Sequence, residues 1–285
     1  MASAGSPVDL PRLQRAHRAF TVALGGYALE FAGGVFVTHE RLPVGAFNYV
    51  DEVQVAPDRR SAFFERALDH YFQRALRPTF RVGPTVPDHV DRTLRRFDFR
   101  PRAEPLVYLV ADRGEDAPTP RSDVDVREVG SEAAGDVAAF WTHEGERDEF
   151  RRSLEVAVHH PNPGERLVPL LASQGGSPVA AALAFTRDGV TEVHAVATQP
   201  RDRGQGIATA LVARAAHGPA SDGARVVAIL ASTPRLGVRL APLGFREVAR
   251  VTEYELPAGA DLRLPPPGPP GPPRWRPPVG RASEG

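Results

Sequence analysis

Apolar residues return at helical spacing in "GIATALVARAAH", where Ile207, Leu211, Val212 and Ala215 fall on one face. The preceding "VTEVHAVATQP" reads as a strand, and "ARVVAILAS" further on as a second. A helix over "PRLGVRLAPLGFR" and a strand over "EVARVTEYEL" complete the series. The first half of the chain repeats this order. "FNYVDEVQVAP" predicts a strand, "DRRSAFFERALDHYFQRAL" an amphipathic helix and "RPTFRVG" a short strand. The helix "DHVDRTLRRFDFR" and the strand "PLVYLVAD" follow. Pro57 aligns with Pro200, and "RRFDFR" with "PLGFR". Two copies of one α/β unit are therefore expected.

Between the copies, "ADRGEDAPTPRSDVD" is polar and broken by prolines, and so reads as a linker. From Leu264 onward, "LPPPGPPGPPRWRPPVGRASEG" cannot build helix or sheet, and Trp275 between two arginines is its one feature. The division is residues 1–117, 118–258 and a Pro-rich disordered tail over 259–285. A length of 285 residues suits two domains and a tail.

Composition removes several chemistries. The 35 basic residues are all arginine and balance 35 acidic ones, so no global field draws nucleic acid or an anionic membrane. With no lysine, Schiff-base and P-loop lysine chemistry are excluded. With no cysteine, disulfides, thiolate nucleophiles and Cys-bound metals go too, and a cytoplasmic location is expected. No stretch of about 18 apolar residues exists to span a membrane, and the first twenty residues lack a signal-peptide pattern.

The helix at Ile207 opens on Gly204 and Gly206 rather than on a Ser, Thr, Asp or Asn cap. Glycine there lets a ligand approach the backbone, and a helix start presents free N–H groups to an anion. The spacing is neither a Rossmann fingerprint nor a Walker A loop. The first copy has Arg59, Arg60, Ser61 and Ala62 at the matching place, so only the second copy is expected to bind.

"RGQGIAT" after a strand, with "LGF" about 40 residues on between a helix and a strand, resembles the GNAT superfamily of acetyl-CoA-dependent N-acyltransferases. The family's pyrophosphate motif is matched by Arg203, Gly204, Gln205, Gly206, Ile207 and Ala208. Thr198-Gln199-Pro200 stands for its preceding Val-x-Pro. The resemblance implies an α/β (α+β) chain of two GNAT-like units, each a mixed, mostly antiparallel central sheet flanked by helices. It further implies acetyl-CoA as co-substrate, held by residues 204–208, Thr209 and Arg203. The resemblance also implies that the acyl-CoA lies in a V between the fourth and fifth strands, splayed apart by a bulge, near which main-chain N–H groups of Val196, Ala197 and Thr198 would polarise the thioester carbonyl.

A base must take a proton from the acceptor amine. Strict alternation along 190–198 puts Glu192, His194, Val196 and Thr198 on one face, so Glu192 and His194 are the candidates. The family's general-acid Tyr falls on Leu240, which donates nothing; a water, Ser232 or Tyr254 are the substitutes. Trp141, His143, Glu144, Glu146, Arg147 and Asp148 crowd the expected acceptor turn, where acidic groups suit a cationic amine. Adjacent His159 and His160 point apart on a helix, and no metal is implied.

The expected activity is N-acetyl transfer to a primary amine of a small molecule or peptide, by a monomeric pseudo-dimer or a homodimer. The alternatives are a non-catalytic acyl-CoA-binding regulator, or other GNAT-fold chemistry: transfer from an acyl carrier protein or an aminoacyl-tRNA, or decarboxylation of malonyl-CoA.

Overall fold

The computed structural model describes residues 9–113, 124–141, 144–233 and 235–257. The Pro-rich tail, His143 and most of the linker lie outside them. The first half runs α1 (Leu10–Ala23), β1 (Tyr27–Phe31), β2 (Gly34–Thr38), β3 (Tyr49–Asp51), α2 (Arg60–Phe72), β4 (Thr79–Val82), α3 (His89–Arg96), β5 (Arg100–Pro101) and β6 (Leu106–Asp112). The second runs β7 (Asp125–Glu128), α4 (Ala134–Ala138), α5 (Arg147–His159), β8 (Glu165–Gln174), β9 (Ser177–Arg187), β10 (Val190–Thr198), α6 (Ile207–His217), β11 (Val226–Ala231), α7 (Arg235–Leu240) and β12 (Arg246–Glu255).

The repeat is visible in the strand directions. Only β3–β4 and β10–β11 pair in parallel; every other pairing among the described residues is antiparallel. Each parallel pair brackets one helix, α2 or α6, at the same place in its copy. A parallel pair needs such a crossover, whereas antiparallel neighbours need only a turn.

The two halves share one sheet, in the order β1-β2-β3-β4-β12-β6-β11-β10-β9-β8-β7. They also exchange strands. The last strand of the first half, β6, lies between β11 and β12, with Val226 opposite Asp112 and Arg246 opposite Val110. In return the end of β12 pairs with β4, Tyr254 opposite Phe80. Residues 106–111 of β6 are buried throughout, which is why the run is apolar without alternation.

One face of the second half's sheet is covered by α6, whose Leu211, Val212 and Ala215 meet Val168, Leu170 and Val193. On the other face, α4 and α5 are joined by α1 of the first half. Phe20 of α1 packs with Leu183 and Phe185, and Leu13 and Ala16 pack with Val190 and Ala228. The first half thus supplies both a strand and a helix to the second. A buried polar seam lies where they meet. There the Arg81 guanidinium stacks 3.6 Å over the Tyr49 ring and bonds Glu253 at 3.1 Å.

Candidate active site

The parallel pairing of β10 with β11 stops at Glu192 opposite Ala228, and the strands part beyond it. The mouth of α6 lies past this opening. Gly204 and Gly206 sit at φ +80° and +81°, a left-handed conformation that costs other residues about 1–2 kcal/mol. A Cβ built on Gly204 would meet no atom within 4 Å, so the space above it is open. No side chain caps α6, and its first amides face outward without intrahelical acceptors. In the first copy, Arg59 is right-handed at the same helix start, and no residue from 57 to 62 has positive φ.

A cavity of about 360 Å³ lies over this mouth, lined by Thr198, Arg203, Gly204, Gly206, Ile207, Ala208 and Thr209. Seven of the residues expected to hold the cofactor are therefore gathered there. Gln205 does not line it; Val196 and Ala197 line a second cavity instead. Sequence reasoning missed Asp202, Leu236 and Arg239 on the same wall. Arg239 had a signal, a basic residue in the helix before "LGF", but only Leu240 and the "LGF" were read there. Two guanidinium groups and a helix start on this wall suit an anion, with Asp202 the carboxylate beside them.

β10 does not alternate as expected. His194 is opposite Leu183 and Ala197 opposite Ala181, so two residues of β10 answer to one of β9. Ala195 carries the bulge at φ +51°. The bulge corrects the predicted facing: Val196 leaves the face of Glu192 and packs with the cluster under α6. It also re-aims the chain segment at a second cavity of about 130 Å³, whose other wall is Val137, Phe140, Trp141 and Phe150.

Neither Glu192 nor His194 lines either cavity. Glu192 is 1% exposed, and His17 of α1 donates from Nδ1 to its Oε1 at 2.7 Å. Its other oxygen is 3.4 Å from His194 Nε2. Burial pushes the Glu192 carboxyl up, but the two histidines and their hydrogen bonds outweigh it and hold the group at about 2. Burial lowers His17, which Glu192 partly restores. His194 stacks on Phe20 with ring centroids 3.7 Å apart. Donor atoms of the three residues lie within 4.8 Å of one another, a set a metal could use. The 2.7 Å contact, however, is that of a hydrogen bond, shorter than the roughly 3.3 Å between two ligands of a tetrahedral zinc with bonds of about 2.0–2.1 Å.

The acid position is filled by core. Leu240 is wholly buried beneath α6. Tyr254 is no substitute either: its end of β12 lies against β4, and its hydroxyl donates to Asp91 of the first half. Ser232 is exposed. Of the acidic groups expected to receive a cation, Asp148 is exposed and neither it nor Glu146 lines the second cavity.

Residues 131–237 match the family model of the acetyltransferase (GNAT) family. Solved structures share the fold across both halves. A GCN5-related N-acetyltransferase from Kribbella flavida is 18% identical, with TM-score 0.62 over 86% of this chain and 95% of its own. One from Sphaerobacter thermophilus is 17% identical, with TM-score 0.56 over 73% of this chain and 72% of its own. A tandem GNAT protein from the clavulanic acid biosynthesis pathway is 17% identical, with TM-score 0.53 over 75% of each chain. No curated protein matches the sequence. The matched segment runs from just before α4 into α7 and takes in the splayed strands and the glycine mouth, so it is this part of the chain that carries the likeness to the acetyltransferase (GNAT) family, within a fold shared across both halves.

Proposed function

We propose that the chain is an N-acetyltransferase that passes an acetyl group from acetyl-CoA to a primary amine within a ternary complex. One observation carries this reading. The left-handed Gly204 and Gly206 open α6 onto a cavity flanked by Arg203 and Arg239, one strand-end away from the β10 bulge. The amides and arginines suit the pyrophosphate of CoA. A main-chain N–H of residues 196–198 suits the thioester carbonyl.

The amine attacks that carbonyl, the C–S bond breaks, and the CoA thiolate leaves. With Leu240 at the acid position, the thiolate takes its proton from water, which a thiol of pKa near about 8.5 tolerates. Glu192, held near 2 and buried, is a poor base for the proton the amine loses. We assign it the task of orienting His194, which accepts the proton through water, and His17 the task of fixing Glu192. The single shared sheet supports action as a monomer. A non-catalytic acyl-CoA-binding role is favoured by the buried Leu240 alone. Calorimetry with acetyl-CoA, followed by CoA release across an amine panel, separates the two: binding without release against any amine selects the regulator.

A further inference from the structure

The second cavity names a class of acceptor. It lies on the α4–α5 side of the β10 bulge, where the reacting carbonyl sits in the proposed function, and every side chain that lines it is aliphatic or aromatic, with main-chain atoms of the bulge beside them. Val137, Phe140, Trp141 and Phe150 form one wall and the Ala195–Ala197 segment the other. Trp141 stacks on Phe150 at 4.2 Å with 12° between the rings. Behind it Phe47, from the first half, stacks at 5.8 Å and 19°. The first half thereby backs the slot, and aromatic faces in offset stacks accept a further ring.

No carboxylate lines the slot; of the three on α5, Asp148 is exposed and the other two are engaged. Glu149 bonds Arg41 at 3.1 Å and Arg152 at 2.9 Å, and Glu155 bonds Arg151 at 2.6 Å. A second ammonium, such as a polyamine brings, would be desolvated here without a partner. A lone amine is treated differently. Its body fills the slot, and the apolar surroundings favour its neutral form, which is the nucleophile. The volume of about 130 Å³ sets the size of the body. An engineered apolar cavity of about 150 Å³ takes up one benzene.

From this we infer that the acceptor is a monoamine carried on a single aromatic ring or a short branched aliphatic body, seated between Phe140 and Trp141. The inference rests on the acetyl-transfer reading, and its test is built to fail separately from it. Full-length protein is assayed for CoA release with phenethylamine, isoamylamine, putrescine and spermidine. Binding of the same amines is followed by saturation-transfer NMR with free CoA present. The expected kcat/KM for phenethylamine exceeds that for spermidine at least tenfold. Phe140→Ala lowers the phenethylamine value about tenfold and raises that of a naphthyl-ethylamine, with acetyl-CoA affinity unchanged. Phenethylamine that binds in the slot but releases no CoA supports the inference and defeats the transferase reading. Preferred turnover of putrescine or spermidine overturns the inference and leaves the transferase reading standing. Loss of no phenethylamine turnover in Phe140→Ala overturns it as well.

Discussion

Gly204 can be tested against a matched control in the same chain. Gly176, in the hairpin turn between β8 and β9, has the same φ of +80° and the same open space for a Cβ. An alanine at either position costs the left-handed conformation, about 1–2 kcal/mol, with no clash to add. At about 2–4 °C per kcal/mol for a protein near this size, each variant should melt roughly 2–8 °C lower. The two part company on ligand. A methyl on Gly204 occupies the space above the cavity mouth and holds an anion off the amides. Losing one hydrogen bond to a charged group is worth about 1.5–3 kcal/mol, roughly a 10- to 150-fold weaker Kd for acetyl-CoA. Gly176→Ala should leave Kd within twofold. Differential scanning fluorimetry gives the first quantity and titration calorimetry the second. Equal Kd values for the two variants would refute the cradle, and unchanged melting of both would refute the strain argument.

Three further outcomes follow from the same geometry. His194→Ala should lower turnover by about 10²–10⁴, and Glu192→Gln by less, both with acetyl-CoA affinity kept; the opposite ranking, measured by steady-state kinetics, returns the base to Glu192. A fragment beginning at residue 118 lacks β6 and α1, so β11 and β12 lose their shared neighbour and Phe185 its cover. It should be insoluble or unable to bind acetyl-CoA, and a soluble, fully active fragment would contradict the exchange of strands. Acid should destabilise the protein. Glu192 is held at about 2 against an ordinary 4.5, so its contribution is complete above about 4.5 and is lost as pH falls toward 2. His17 is lowered from 6.5 by burial, so the unfolded chain takes up its proton first and stability begins to fall below about 6.5. Melting temperatures from about pH 7 to 3 should decline, and less steeply in Glu192→Gln; parallel curves would count against the network.

How much of this was legible beforehand depends on the range of each interaction. The strand–helix–strand order and the two glycines are local, and a helix start without a polar cap announces itself in a few residues. A bulge on this strand is what the family resemblance implies, but its position was not legible. Its positive φ falls on Ala195, a residue that gives no sign of it, so strict alternation misplaced Val196. His17 was invisible for another reason, since the carboxylate it holds is 175 residues away along the chain. The exchange of β6 and β12 was hidden too, because an apolar run such as "LVYLVA" reads alike in whichever sheet it ends. The apolar slot escaped notice because charges dominate its sequence neighbourhood. The helix turns Asp148 outward and pairs Glu149 with arginines, leaving rings at the bulge.

The central claim is that the second copy's glycine mouth, and not the first copy's arginine-bearing one, holds acetyl-CoA. Titration calorimetry of acetyl-CoA into the full chain and into Gly206→Glu measures it directly, with a thermal melt confirming that the variant is folded. One site per chain, abolished by the glutamate, is the predicted result. Two sites per chain, or a site that survives Gly206→Glu in folded protein, would contradict it.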